Sequence, residues 1–234
     1  MRVACIQSSY IPWKGYFDII HDVDVFVFLD DVQMTVRDWR SRNKIKTAKG
    51  TEWLTVPVAK VQRQQLIHET QIAEGDWQQR HLKSLQHNYG RAPYFQDYRA
   101  LLERLYCQPH TNLSEFNRLA TSLICDLLRI KTRLICSMDL NPVGTKDDRL
   151  IDICQKLDAR SYLSGPSARD YIVAEKFQAA GLKLAYKDYA GYPEHPQQYS
   201  PFSHEVTILD VLFNCGTQAP HYIWGWRANA SASL

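Results

Sequence analysis

Val25-Phe26-Val27-Phe28-Leu29-Asp30-Asp31 is a short apolar run closed by two carboxylates. Aromatic and β-branched residues in unbroken succession, without alternation, mark a strand buried on both faces. Upstream, Val3-Ala4-Cys5-Ile6 has the same texture and also ends on polar residues, Gln7, Ser8, Ser9 and Tyr10. Tyr16-Phe17-Asp18-Ile19-Ile20 between them reads as a short helix. Strand, helix and strand at this spacing form a parallel crossover unit.

The pattern resumes downstream. Leu134-Ile135-Cys136, Ser161-Tyr162-Leu163 and Leu182-Lys183-Leu184-Ala185-Tyr186 read as strands, and Trp53-Leu54-Thr55-Val56-Pro57-Val58 as another whose Pro57 puts it near an edge or end. Leu150, Ile151, Ile153, Cys154 and Leu157 make a helix face, and a second helix is predicted over 169–180, closed by Gly181. Residues 76–130 are helical in texture: Tyr98, Leu101, Leu102, Leu105 and Tyr106 recur at helical spacing, and Asn112 with Glu115 is a capping signal. A last helix carries Ile208, Leu209, Leu212 and Phe213 and stops at Gly216. The fold class predicted is α/β, with a mostly parallel, Rossmann-like sheet in one domain over 1–234 and an inserted helical layer at about 76–130. Residues 189–201 are expected to be a loop, and 228–234 a disordered tail.

The chain has 234 residues, 45% hydrophobic and 23% charged, an ordinary globular balance. No apolar run is long enough for a membrane-spanning helix, and Met1–Ile6 reaches polar Gln7 too soon for a secretory leader, so a cytoplasmic location is expected. Cys5, Cys107, Cys125, Cys136, Cys154 and Cys215 stand singly, without the spacing of a zinc site or a disulfide framework. No metal site is read from the histidines. The net charge of +3 is too mild to point to nucleic acid.

In open parallel sheets ligands bind outside the carboxyl ends of the strands. That rule selects Gln7 and Tyr10 after the first strand and Asp30, Asp31 and Gln33 after the second. After later strands it selects Ser137, then Ser164, Gly165 and Ser167 with Arg169. Adjacent Asp30 and Asp31 suit a general base, a metal with phosphate, or an amine, against the plain alternative of a turn. Trp39-Arg40-Ser41-Arg42-Asn43-Lys44 is a basic run in which Arg40 and Arg42 suit a phosphate or carboxylate clamp, against the alternative of a solvated face. Ser164-Gly165-Pro166-Ser167-Ala168-Arg169 runs from a strand end into a helix start, where backbone N–H groups make an anion site or an ordinary cap. Gln7, Tyr10, Asp30, Gln33, Arg42 and Ser164 are expected to converge on one cleft.

Several stretches together resemble one family. These are Gln7-Ser8-Ser9-Tyr10-Ile11-Pro12-Trp13-Lys14-Gly15-Tyr16-Phe17, the Asp24 to Gln33 segment, Trp39 to Ile45, Leu54-Thr55-Val56-Pro57-Val58, Tyr162-Leu163-Ser164-Gly165 and Phe213-Asn214-Cys215-Gly216. They are similar to the WbqC-like proteins of bacterial surface-polysaccharide gene clusters, although Ser8 stands where the family is expected to carry proline. The resemblance implies a transferase of O-antigen biosynthesis that passes an acyl or glycyl group to the amino group of a sugar nucleotide. It implies Asp30 or Asp31 as base, Arg40 with Arg42 as anion clamp, and Trp13 and Asn43 among the ligand contacts. A looser likeness to nucleotidylyltransferases, with Trp13-Lys14-Gly15-Tyr16 where those carry H-x-G-H, leaves an ATP-using ligase as the alternative; a non-catalytic binding protein is the third. The expected partner is a small molecule bearing phosphate or carboxylate, such as a sugar nucleotide, ATP or an amino acid. No cofactor is specified.

Overall fold

The computed structural model describes residues 1–227. In chain order its elements are β1 (Arg2–Ile6), α1 (Lys14–His21), β2 (Val25–Phe28), β3 (Arg42–Thr47), β4 (Gly50–Thr55), α2 (Trp77–Tyr89), α3 (Arg99–Tyr106), α4 (Leu113–Leu127), β5 (Arg133–Cys136), α5 (Lys146–Lys156), β6 (Ser161–Ser164), α6 (Ala174–Ala179), β7 (Lys183–Tyr186) and α7 (Leu209–Cys215). Five of the strands form a parallel sheet in the order β5-β2-β1-β6-β7. The order of strands reverses between β1 and β6.

Each central strand serves both faces of the sheet. Ala4, Phe26, Phe28 and Leu163 meet α1, α2, α3, α4 and α7 through Phe17, Ile20, Leu85, Leu105, Phe116 and Phe213. Val3, Cys5, Val25, Val27 and Tyr162 meet α5 and α6 through Ile153, Cys154 and Phe177. The helices α1 to α4, before the reversal, lie on one face and the crossover helices α5 and α6 on the other, as right-handed crossovers require, while α7 after the last strand returns to the first face. The unbroken apolar runs follow from this, since no residue of β2 faces water.

One local expectation needs correction. The predicted helix over 169–180 is shorter: Pro166–Asp170 is a 3-10 turn, and α6 spans Ala174–Ala179. It does end as expected, with Gly181 at φ 73°, Leu182 N–H on the Phe177 carbonyl at 2.8 Å and Gly181 N–H on Gln178 at 3.0 Å. The basic run, to which the sequence assigned no element, is partly a strand. Residues 42–47 form β3, paired antiparallel with β4 in a separate two-stranded sheet. Asn43, Ile45 and Thr47 are buried while Arg42 and Lys44 are half-exposed, a period of two that ends at Lys46, which is buried as well.

The helical layer is joined to the sheet by a polar chain. His81 on α2 bonds the Thr55 carbonyl through Nε2 at 3.1 Å, and a carbonyl only accepts, so Nε2 carries the proton. Nδ1 must then accept from the Tyr10 hydroxyl at 2.8 Å, and Tyr10 in turn accepts from Tyr106 at 2.7 Å. Burial lowers the His81 imidazole to about 4, a shift opposed by its bond to Thr55 and reinforced by the charge of Arg80. An unfolded histidine binds its proton near pH 6.5, so between about 6.5 and 4 the unfolded chain holds more protons than the folded one. Stability therefore falls as pH drops through that window, by on the order of 3 kcal/mol at about 1.4 kcal/mol per pH unit. Urea titrations at pH 7 and pH 4.5 measure it. His81→Gln, which cannot titrate, is expected to remove the acid loss whatever it does to stability at pH 7.

Candidate functional site

A cleft of about 390 Å³ opens at the carboxyl end of β1. Ile6, Ser9, Pro12, Trp13 and Tyr16 line it from the β1–α1 connection; Trp39, Arg40 and Asn43 line it from the segment leading into β3; Glu205 stands on its rim.

The β1–α1 loop is fixed from several sides. Tyr10 N–H bonds the Trp39 carbonyl at 2.9 Å, and Ile208 N–H bonds the Pro12 carbonyl at 2.9 Å. The Asn43 amide donates to the Ile11 carbonyl at 2.8 Å and, at 3.3 Å, to that of Tyr10. These bonds hold Ile11 at φ 34°, a conformation that β-branched residues avoid. Gly15 shapes the next turn: a Cβ there would lie 2.3 Å from the Trp13 ring, so only glycine lets the indole rest against the start of α1. The Trp13 indole meets Tyr189 and Tyr192 edge-on, at 5.1 and 6.0 Å between ring centroids.

Arg40 is the cation of the cleft wall. It is 8% exposed. Its Nη1 donates to Gln7 Oε1 at 2.6 Å, its buried Nε has no partner, and it makes no ion pair among the described residues. Its backbone carbonyl takes a hydrogen bond from Asn117 of α4 at 2.8 Å. A guanidinium cannot shed its proton at ordinary pH, and a buried cation without a counter-charge costs several kcal/mol. A bound anion would relieve that cost. The Tyr16 phenol, which donates to the Gln7 carbonyl at 3.0 Å, is raised well above its ordinary value by burial and stays neutral. Lys14, after Trp13, is buried and bonds the Pro193 carbonyl at 3.3 Å; burial lowers its amine to about 8.

Of the residues selected from the sequence, the cleft brings together Trp13, Arg40 and Asn43, with Gln7 one hydrogen bond away. The others lie elsewhere, and the convergence of all on one cleft is corrected accordingly. Tyr10 is a core residue, stacked on Phe116 and bonded to His81 and Tyr106. Asp30 is fully buried and accepts from Ser8 N–H at 2.8 Å and from the Ser114 hydroxyl. Asp31 turns the other way, to Arg149 and to the Ser137 hydroxyl at 2.6 Å, which also accounts for Ser137. The two carboxylates are therefore not a pair. Gln33 is exposed and donates to the Arg63 carbonyl at 2.6 Å.

Arg42 and Arg40 do not form a clamp, because Arg42 lies over the Trp53 ring at 4.2 Å. Arg40 belongs to the turn before β3, and Arg42 is the first residue of the strand. Ser164 is buried at the end of β6 and its carbonyl binds Lys187 N–H at 2.8 Å; Gly165 is half-buried, Ser167 is exposed, and exposed Arg169 lies over Tyr186 at 5.0 Å. Sequence reasoning missed Glu205, which sits in an irregular segment without a periodic signal and pairs with Lys44 at 2.9 Å. Among the described residues no cluster of side chains has the makings of a metal site. No helix among them is long and apolar enough to cross a membrane.

The profile of the WbqC-like protein family matches residues 7–222. An uncharacterised protein of Mycobacterium tuberculosis is 44% identical over 224 residues, covering 95% of this chain and 97% of that one. No solved structure matches.

Proposed function

The chain belongs to the WbqC-like protein family, and from that premise we propose that its cleft holds an anionic small molecule through Arg40 in the service of group transfer. The reaction class is acyl or glycyl transfer to the amino group of a sugar nucleotide, in surface-polysaccharide biosynthesis. The observation that carries the reading is Arg40 itself: buried, cationic, without an ion pair among the described residues and set on the wall of a cleft. Trp13 and Tyr16 supply apolar walls for the rest of the ligand. In amide formation the amine attacks the acyl carbon, the donor's leaving group departs and the amine gives up a proton. Glu205 is the carboxylate among the lining residues and, through the oxygen that Lys44 leaves free, is the acceptor assigned to that proton in this reading. Asp30 and Asp31 have no such place. The strand order, with its reversal beside β1, favours an ATP-using ligase as a second reading, in which Arg40 holds a phosphate of ATP.

Titration calorimetry with pyrophosphate tests the anion site. A charge-assisted hydrogen bond lost from binding costs about 1.5–3 kcal/mol, so Arg40→Gln is expected to weaken pyrophosphate by roughly 10- to 150-fold. Arg40→Lys should recover part of it. Equal binding by wild type and Arg40→Gln, with both folded by their melting curves, would remove Arg40 from the site. Mass spectrometry of an amino-sugar nucleotide incubated with a glycyl donor, with and without ATP, then separates transferase from ligase.

A further inference from the structure

We propose that the lip of the cleft stacks a nucleobase on Trp39, so that the ligand class is a nucleoside phosphate whose anionic part lies at Arg40. The inference rests on the reading of Arg40 as the anion-holding residue.

Trp39 and Trp53 are 44% and 42% exposed, and both belong to the arm that carries Arg40 into β3 and β4. Large apolar side chains left in water side by side, with charges around them, mark a binding surface. Their ring centroids are 5.2 Å apart, but the planes are tilted by 45°, so neither indole covers the other's face. The face of Trp53 is taken by Arg42 at 4.2 Å, with Lys44 at 5.3 Å. Trp39 has no cation over it and no ring partner besides Trp53 among the described residues.

Its backbone, by contrast, is held. The Trp39 carbonyl accepts from Tyr10 N–H at 2.9 Å, and its N–H bonds the Asp38 carboxylate. A fixed backbone presenting an uncovered indole is a preformed platform, with little ordering left to be done on binding. Trp39 also lines the cleft, next in the chain to Arg40. One ligand can therefore meet both.

A base suits this lip better than a sugar. Hydroxyl groups need hydrogen-bonding side chains aimed at the ring, yet here Lys44 and Glu205 are paired with each other and the Arg42 guanidinium lies over Trp53 with a buried, unbonded Nε. The largest uncovered surface at the lip is the π-face of Trp39, which accepts any flat base.

Calorimetry with adenosine diphosphate, uridine diphosphate, adenosine, glucose 1-phosphate and pyrophosphate tests the assignment. Wild type is expected to bind both nucleotides about tenfold or more tighter than pyrophosphate, the scale of one base–aromatic stack. Trp39→Ala should erase that gap and leave pyrophosphate unchanged, and Trp39→Phe should keep part of it. Nucleotides no tighter than pyrophosphate on wild type, or a gap that survives Trp39→Ala, overturn the platform while leaving the anion site standing. Glucose 1-phosphate weakened by Trp39→Ala when the nucleotides are not assigns the ring to a sugar and overturns it too. If pyrophosphate ignores Arg40→Gln while adenosine still binds in a Trp39-dependent way, the platform stands and the Arg40 reading falls.

Discussion

Lys187→Met is expected to destabilise the protein by about 3–5 kcal/mol, the usual cost of removing one partner from a buried ion cluster. Lys187 follows β7, is 4% exposed, and reaches Asp18 Oδ1 at 2.8 Å and Asp22 Oδ2 at 2.5 Å on α1. Asp18 is fully buried and also meets Arg227 and the Tyr192 hydroxyl. Without the lysine, Asp18 Oδ1 keeps its burial and loses its cation. The same cluster sets an acid limb. Burial alone would raise the Asp22 carboxyl, but hydrogen bonds from His21 and Lys187, with the charges of Lys187 and Arg227, bring it down to about 2. A carboxylate held below its unfolded value of about 3.9 contributes stability at neutral pH that is lost as pH falls through about 4 to 2. Urea melts at pH 7 and pH 3 should show the Lys187→Met deficit narrowing at the lower pH. A deficit below 1 kcal/mol at pH 7 would mean that water replaces the ammonium.

Asp30→Ala is expected to cost about 3–6 kcal/mol, two charge-assisted hydrogen bonds at about 1.5–3 kcal/mol each. One carboxylate oxygen fixes Ser8 N–H after β1, and the other takes the Ser114 hydroxyl in the first turn of α4. Its backbone carbonyl accepts from His68 N–H at 3.0 Å. Asp30 thus ties the ends of β1 and β2 to the helical layer. Asp30→Asn keeps an acceptor for one of the two donors and should cost less. A general base gives the opposite pattern, with activity abolished by either substitution and melting temperature untouched. Melting curves with transfer assays on both variants decide between a bracket and a base.

The contrast between Asp30 and Arg40 shows how far side-chain chemistry can be read along a line. Both are charged residues near strand ends, and both suggested a site. Asp30 is saturated by neighbours 22 and 84 residues away in sequence. Arg40 is left open because its one side-chain partner, Gln7, is neutral. Partners so distant leave no local pattern. The separation of Asp31 from Asp30 has a local origin instead, since successive residues of extended chain point to opposite sides, while Arg40 belongs to the turn in which Ser41 N–H bonds the Asp38 carbonyl at 3.2 Å and Arg42 opens the strand beyond it. Adjacency or a two-residue spacing in a turn-rich segment therefore did not assemble a pair.

The layered α/β architecture is legible in the chain alone. Buried strands need unbroken apolar runs, helices need a face of period 3.6, and both kinds of period survive in the chain at Val25–Phe28 and around Leu101–Leu105. So are local ends such as Gly181 and the Asn112 cap, whose side chain accepts from Glu115 N–H at 3.0 Å. Only the tertiary structure decided which polar residues remain available to a ligand. Availability is a matter of what is left unpaired after folding, and pairing is set by contacts across the sheet, the β3–β4 arm and α4. Arg40 on the cleft wall and Trp39 at its lip are such remainders.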